Sequence, residues 1–360
     1  MRFDIDRRLA MRPNFSPLRL AILPLFGLLL SATSAQAVEE PALDMSLGEI
    51  SPGGSPGNGQ FGQWLKGLRE EAAKRGIKAK TLDVTLNNVQ PLDRVIELDR
   101  TQPEVTMTFV QYLEHITPAI RVEQARARFS ENQQLLRAVE KKFGVEPEFI
   151  VALWGIESNF GTNMGDFSVI QALATLAYDG RRSDYFREEL LKALIIVDQG
   201  HIEPGLMLGS WAGAMGQAQF MPSSFLNYAV DHNGDGRRDI WGTRADVFAS
   251  AANYLATEGW KHGEGWGRRV LAPLSFDVEA AAAVKEPKPV SAWRKAGLTL
   301  MDGSPLPSAE DNRMATLVLP DGIKGPAFLA YDNYRVIMHW NRSNYFVLAV
   351  SQLADQIRNQ

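Results

Sequence analysis

A glutamate set among apolar residues at helical spacing is the most chemically suggestive feature of the sequence. In Phe149-Ile150-Val151-Ala152-Leu153-Trp154-Gly155-Ile156-Glu157-Ser158-Asn159-Phe160-Gly161, residues Ile150, Leu153, Trp154 and Glu157 share one helical face. The carboxylate therefore falls on the apolar stripe, near the C-terminal end of its helix. Desolvation there favours the neutral acid and the negative end of the helix dipole acts the same way, so the pKa should be raised. A carboxylic acid still protonated near neutral pH is what protonation of a glycosidic oxygen requires. The bland alternative is a buried carboxylate that pairs with an arginine or caps neighbouring backbone.

A second segment, Gly209-Ser210-Trp211-Ala212-Gly213-Ala214-Met215-Gly216-Gln217-Ala218-Gln219-Phe220-Met221-Pro222-Ser223-Ser224, is rich in small residues. These permit close backbone approach to a ligand, and Ser210 and Gln219 offer uncharged hydrogen-bonding groups suited to sugar amides and hydroxyls. Alone it reads equally as a tight turn between helices, with Pro222 opening the second. A third segment, Asp231-His232-Asn233-Gly234-Asp235-Gly236-Arg237-Arg238-Asp239-Ile240-Trp241-Gly242, places Asp231, Asn233, Asp235, the Arg237 carbonyl and Asp239 at calcium-loop positions, with glycine at the sixth. Gly242 stands at the twelfth, where a bidentate carboxylate belongs, so calcium here would be weak and structural, and an Asx-rich turn without metal is the alternative. No cofactor is expected for the chemistry. The histidines His115, His201, His232, His262 and His339 form no close metal-ligand pair, and no SxxK occurs, which disfavours zinc hydrolases and serine acyl-enzymes.

Positioning these groups falls to a chain of 360 residues, 45% hydrophobic and without cysteine, long enough for a substantial core. Residues 1–37 hold five Arg and two Asp, a net +3 against the formal −4 of the whole chain, which leaves −7 for the remainder. That acidity argues against nucleic acid as a partner. Arg7, Arg8, Arg12 and Arg19 precede the apolar run Leu20 to Leu30, and Ala35-Gln36-Ala37 supplies a cleavage site, so residues 1–37 read as a signal peptide. The run is too short to span a bilayer and no cysteine is present to acylate, so a soluble exported protein is expected. Residues 38–60, with Ser51-Pro52-Gly53-Gly54, read as a flexible linker, and the folded part is expected over 61–360. Phe61, Trp64, Leu65 and Leu68 recur at helical spacing, and Pro147 suits the first turn of the glutamate helix. The span of about 266–330, with Val270, Leu271, Phe276, Val278 and Thr316 to Leu319 among many Gly and Pro, reads as short strands. Helical periodicity returns over about 345–357.

Taken together, Glu157-Ser158-Asn159-Phe160-Gly161, Ala212-Gly213-Ala214-Met215-Gly216 and Gln219-Phe220-Met221-Pro222-Ser223 resemble the lytic murein transglycosylases, most closely their B type. Gln171 to Ala177, Arg181-Arg182-Ser183-Asp184-Tyr185-Phe186, Ala252-Asn253-Tyr254-Leu255 and Trp340-Asn341-Arg342-Ser343-Asn344-Tyr345 extend the likeness from about Phe61 to the C-terminus. The resemblance implies a mainly α (α+β) protein, with a lysozyme-like helical core over about 140–260, a helical region and a small β subdomain. It further implies that Glu157 is the sole acid and base, that Ser210, Gln219, Arg181, Arg182, Tyr185, Tyr254 and Asn341 contact substrate, and that Tyr185, Tyr254 and Trp340 stack on sugars. Trp340 and Phe346 stand where the family often has tyrosine. The implied partner is the glycan strand of peptidoglycan in the periplasm, with other cell-wall enzymes as candidate associates. Asp166, Asp179 and Asp184 keep open a two-carboxylate hydrolytic muramidase. A non-catalytic wall-binding scaffold is the other alternative, against which stands the stability cost of an idle buried carboxylate.

Overall fold

A computed structural model describes residues 58–101 and 107–359. The signal-peptide reading and most of the linker lie outside them. Helix α1 (Asn58–Lys74) takes in the last three residues read as linker, because Phe61 in its first turn is buried against Trp64 and Tyr178. It is followed by α2 (Ala79–Leu86), α3 (Asp93–Arg100), α4 (Phe109–Ile116), α5 (Ala119–Glu131) and α6 (Gln133–Phe143). Thr108 and Gln111 start α4 with a reciprocal capping box, and Gly144 ends α6 in the left-handed conformation.

Central to the fold is α7 (Pro147–Ser158), which opens on Pro147 and is buried on every side except at Glu157. The stripe inferred from spacing understates the burial, since α5, α6, α11 and α15 all pack on this helix. Beyond it come β1 (Phe167–Ser168), α8 (Val169–Asp179), α9 (Ser183–Asp198), β2 (Leu208–Gly209), α10 (Pro222–Tyr228) and α11 (Arg244–Thr257). β1 and β2 pair antiparallel, Phe167 against Gly209, and so bring the Ser210 loop beside the turn that follows α7.

The expected β region is present as β3 (Gly267–Val270), β4 (Lys288–Pro289), β5 (Met314–Val318) and β6 (Ala327–Ala330), an antiparallel sheet in the order β3-β6-β5-β4. Two short helices interrupt it, α12 (Val278–Ala283) and α13 (Val290–Lys295). Val278, read as strand, is helical because the Asp277 carboxylate accepts the Ala280 N–H and caps the turn. β6 lies between two cores. Phe328 and Ala330 face the helical core, whereas Leu329 joins Val270, Trp293 and Tyr331 in the core of the subdomain. α14 (Asp332–Trp340) then leads back to the site, and α15 (Asn344–Arg358) packs along α7.

Candidate active site

The turn after α7 is built by the sequence motif itself. Asn159 and Phe160 have φ of 49° and 59°, and with Gln219 at 48° they are the only non-glycine residues of positive φ among the described residues. Backbone strain thus collects where the two motifs meet. Phe160 folds back over the helix onto Gly155, where an added Cβ would lie 2.7 Å from its ring, so glycine is required there. Ser158 Oγ donates to the Gln217 carbonyl at 2.8 Å and accepts the Gly161 N–H, which locks the two motifs together. Gln217 completes the lock, accepting the Trp154 indole N–H at 2.8 Å and donating to the Trp241 carbonyl at 2.6 Å.

Glu157 projects from this scaffold half-buried. Burial pushes its carboxyl up to about 8, against the opposing hydrogen bond from Trp340. The Trp340 indole N–H donates to Oε1 at 2.7 Å. Among the described residues no Lys, Arg or His lies within ion-pair distance, and no other carboxylate acts on its charge. On the α4 side the Tyr112 hydroxyl is buried without a hydrogen-bond partner, and its phenol is pushed up by burial and by the charge of Glu157. The buried-and-paired alternative for Glu157 is therefore not the one adopted.

The expected substrate residues fall into two groups. Tyr254 on α11 and Trp340 at the end of α14 meet, with ring centroids 4.8 Å apart, and Phe220 packs 5.2 Å from Trp340. Asn341 follows directly, its Oδ1 accepting the Ser343 N–H. Gln219 donates to the Met164 and Gly216 carbonyls, which leaves its Oε1 as the group to offer a ligand. Ser210 Oγ accepts the Ala214 N–H and keeps its own proton to donate. Arg181, Arg182 and Tyr185 form the second group, at the start of α9. Both arginines pair with the buried Asp99 of α3, and Tyr185 is exposed beside Phe186. Of the other carboxylates, Asp179 pairs with Arg100, while Asp166 and Asp184 are exposed. Sequence reasoning passed over Gln217, Tyr112 and Asp99, because nothing in their spacing separates a buried lock from an ordinary surface residue.

In the Asp231 loop, Asp231 accepts the Gly234, Asp235 and Gly236 amides, and Asp235 accepts the Arg237 amide. Asn233 donates to Asp235 at 2.9 Å. Asp239 turns elsewhere, accepting from Trp241, Gly242 and Thr243, and a Cβ on Gly242 would sit 2.9 Å from its carboxylate. No group of three or more His, Asp or Glu among the described residues is arranged to hold a metal. Oxygen donors suit a hard cation, but this set is short of the bidentate ligand and of Asp239. The loop is tied down by a residue the sequence did not single out: Asp246, buried in the first turn of α11, accepts the His232 and Asp239 amides.

With this geometry in hand, comparison with known proteins is specific. A family model described as the transglycosylase SLT domain matches residues 60–355. The membrane-bound lytic murein transglycosylase B of Escherichia coli (strain K12) is 29% identical over 299 residues, covering 79% of this chain and 79% of that protein. The crystal structure of SltB3 from Pseudomonas aeruginosa in complex with NAG-anhNAM-pentapeptide is 44% identical, with a TM-score of 0.80 over 83% of this chain and 79% of that one. The Escherichia coli lytic transglycosylase Slt35 in complex with calcium is 28% identical, with a TM-score of 0.69 over 82% of this chain and 92% of that one.

Proposed function

The chain belongs to the transglycosylase SLT domain family, is a lytic transglycosylase of peptidoglycan, and on that premise we propose that Glu157 alone supplies its acid and base. The observation that carries the proposal is a half-buried carboxylate pushed up to about 8, on which no second carboxylate among the described residues acts. Protonated Glu157 gives its proton to the oxygen between N-acetylmuramic acid and N-acetylglucosamine, and the C1–O bond breaks. As carboxylate it then takes the proton of the muramoyl C6 hydroxyl, whose oxygen bonds to C1. The product is a 1,6-anhydro ring, no water is consumed, and Glu157 ends protonated as it began.

A hydrolytic muramidase would need a carboxylate about 5 to 9.5 Å from Glu157 to attack or to activate water. Of the three aspartates that could serve, Asp179 is engaged by Arg100 and Asp166 and Asp184 are exposed, and none of them contributes to the raised state of Glu157. Proximity favours the internal hydroxyl, because a tethered group in near-attack geometry has an effective molarity of roughly 10⁵ M or more. Mass analysis of products from purified murein is expected to give anhydromuramoyl ends that borohydride does not reduce. Predominantly reducible products, heavier by one water, would overturn the lyase chemistry.

For substrate contacts we assign Ser210 Oγ, Gln219 Oε1 and Asn341 to polar groups of the sugars nearest Glu157, and Tyr254 to their apolar faces. Arg181 and Arg182, two cations sharing Asp99, and the exposed Tyr185 suit more distant and anionic parts of the strand. The periplasm is the compartment of the substrate, and the signal-peptide reading of residues 1–37 makes Val38 the first mature residue. Calcium in the Asp231 loop is proposed as a weak structural ligand of Asp231, Asn233, Asp235 and the Arg237 carbonyl, without part in the chemistry. Calcium up to about 10 mM should raise the melting temperature by mass action on the folded state, and Asp235→Ala should remove the increment. No shift at that concentration would leave the loop a metal-free Asx turn.

A further inference from the structure

Resting on the reading of Glu157 as the acid, we propose that Trp340 is a positioning residue: its indole N–H holds Glu157 Oε1 as an acceptor in both protonation states, so the proton delivered to substrate leaves from Oε2. An indole N–H can donate and cannot accept. In the carboxylate either oxygen can receive it. In the neutral acid the carbonyl oxygen is the better acceptor, so the proton resides on the other oxygen.

The ring is fixed well enough for this. It sits at the last residue of α14, with Phe220 5.2 Å and Tyr254 4.8 Å away, both tilted against it. Tyr254 rests in turn on Tyr228 at 4.4 Å. The Tyr228 hydroxyl donates to Glu258 Oε1 at 2.5 Å, and Glu258 Oε2 lies 2.6 Å from His339 Nδ1. An aromatic stack anchored at its far end by a carboxylate thus presents one N–H to the acid. Such packing restricts Trp340 as a free platform for a sugar, which shifts it from the stacking role expected of it toward the carboxyl.

Among the described residues, two tyrosines face the site, and burial raises both well away from this range. Tyr112 of α4, backed by Arg121 of α5, is raised by burial and stays neutral. Tyr254 of α11 is likewise raised by burial, and faces Glu258, Tyr228 and Arg342. The N–H bond favours the charged form of Glu157, so its removal raises the carboxyl further.

Trp340→Phe keeps an aromatic ring and removes the donor. The basic limb of its kcat/KM profile is expected to move up by about one pH unit, and kcat to fall roughly tenfold as the carboxyl loses its orientation. Trp340→Tyr, which restores a donor, should recover part of both. An unmoved limb in both variants, or a parent-like rate for Trp340→Phe, overturns the proposal. A measurement on the parent protein keeps the question open to test even if these variants misfold. One indole ¹H–¹⁵N resonance should titrate with a midpoint near 8 and stop titrating in Glu157→Gln. If every indole resonance is flat from about pH 6 to 10, on either side of that midpoint, no N–H is held by a titrating acid and the proposal fails. Full activity of Glu157→Gln would instead sink the reading of Glu157 as the acid, whatever the indole resonance does.

Discussion

Glu157→Gln is expected to lower glycan cleavage by about 10⁴-fold or more, since on the proposed reading one group supplies both proton transfers and each such contribution is commonly 10²- to 10⁴-fold. The same substitution should leave the fold at least as stable as the parent at pH 7. Glutamine keeps an oxygen to accept the Trp340 N–H and cannot ionise. In the parent, the folded-state pKa of about 8 lies above the ordinary carboxylate value of 4.5, so the unfolded chain releases this proton first. Between those values the folded state binds more protons, and stability falls as pH rises through the window. The variant is free of that cost, an increment on the order of 1–3 kcal/mol at pH 7. Activity of the parent should fall as pH rises through about 8, because the reaction starts from the neutral acid. A variant that keeps more than about a tenth of the parent rate, where losses of 10²-fold and upward are expected, would move the acid to another residue. One that is inactive but melts well below the parent would mean that the glutamate is structural.

The half-buried, raised carboxyl of Glu157 was legible in the sequence because a charge on an apolar helical face is a local contradiction. Pro147 and the C-terminal helix were legible because helix signals are local too. The helices α12 and α13 were not, since each is six residues long, α12 set by the Asp277 cap and α13 by its first amides bonding the Arg313 and Asp311 carbonyls, rather than by periodicity. Tyr254 and Trp340 could be placed near sugars only by resemblance. That their rings meet, and that the indole reaches the carboxylate, depends on a return of the chain over 183 residues that no spacing rule contains. The Asp231 loop shows the converse. Its positions match a calcium loop, yet Asp239 accepts the Trp241 and Gly242 amides and Gly242 supplies no carboxylate at the twelfth position. Arg181 and Arg182 follow the same logic, since the buried Asp99 that binds both arginines lies on a different helix.

Loss of Gln217, which sequence reading left as one small-motif position among many, should harm the fold directly. Its side chain is 8% exposed and both ends are engaged, Oε1 by the Trp154 indole and Nε2 by the Trp241 carbonyl. Its backbone N–H donates to the Ile240 carbonyl at 2.8 Å and its carbonyl accepts from Ser158. Gly161 packs so closely that an added Cβ would lie 2.4 Å from Oε1. Three segments distant in sequence, the end of α7, the 209–224 segment and the Asp231 loop, therefore converge on one amide. Gln217→Ala would strand a buried indole N–H and a buried carbonyl and leave a cavity, a combined cost of about 2–5 kcal/mol. The melting temperature is expected to fall by roughly 3–8 °C for a domain of this size, and activity at permissive temperature to fall with it, because Trp154 and Glu157 share a helix. Gln217→Glu separates the causes. Glutamate at a site this buried adds the cost of a charge facing the Trp241 carbonyl, so a loss greater than that of alanine is expected of it at neutral pH, and one that lessens as pH falls and the carboxyl becomes a neutral O–H donor assigns the effect to the hydrogen bonds rather than to the cavity. A fall of only about a degree in either variant, well under the roughly 3 °C at the low end of that range, would mean that the surrounding packing holds the motifs together without the amide.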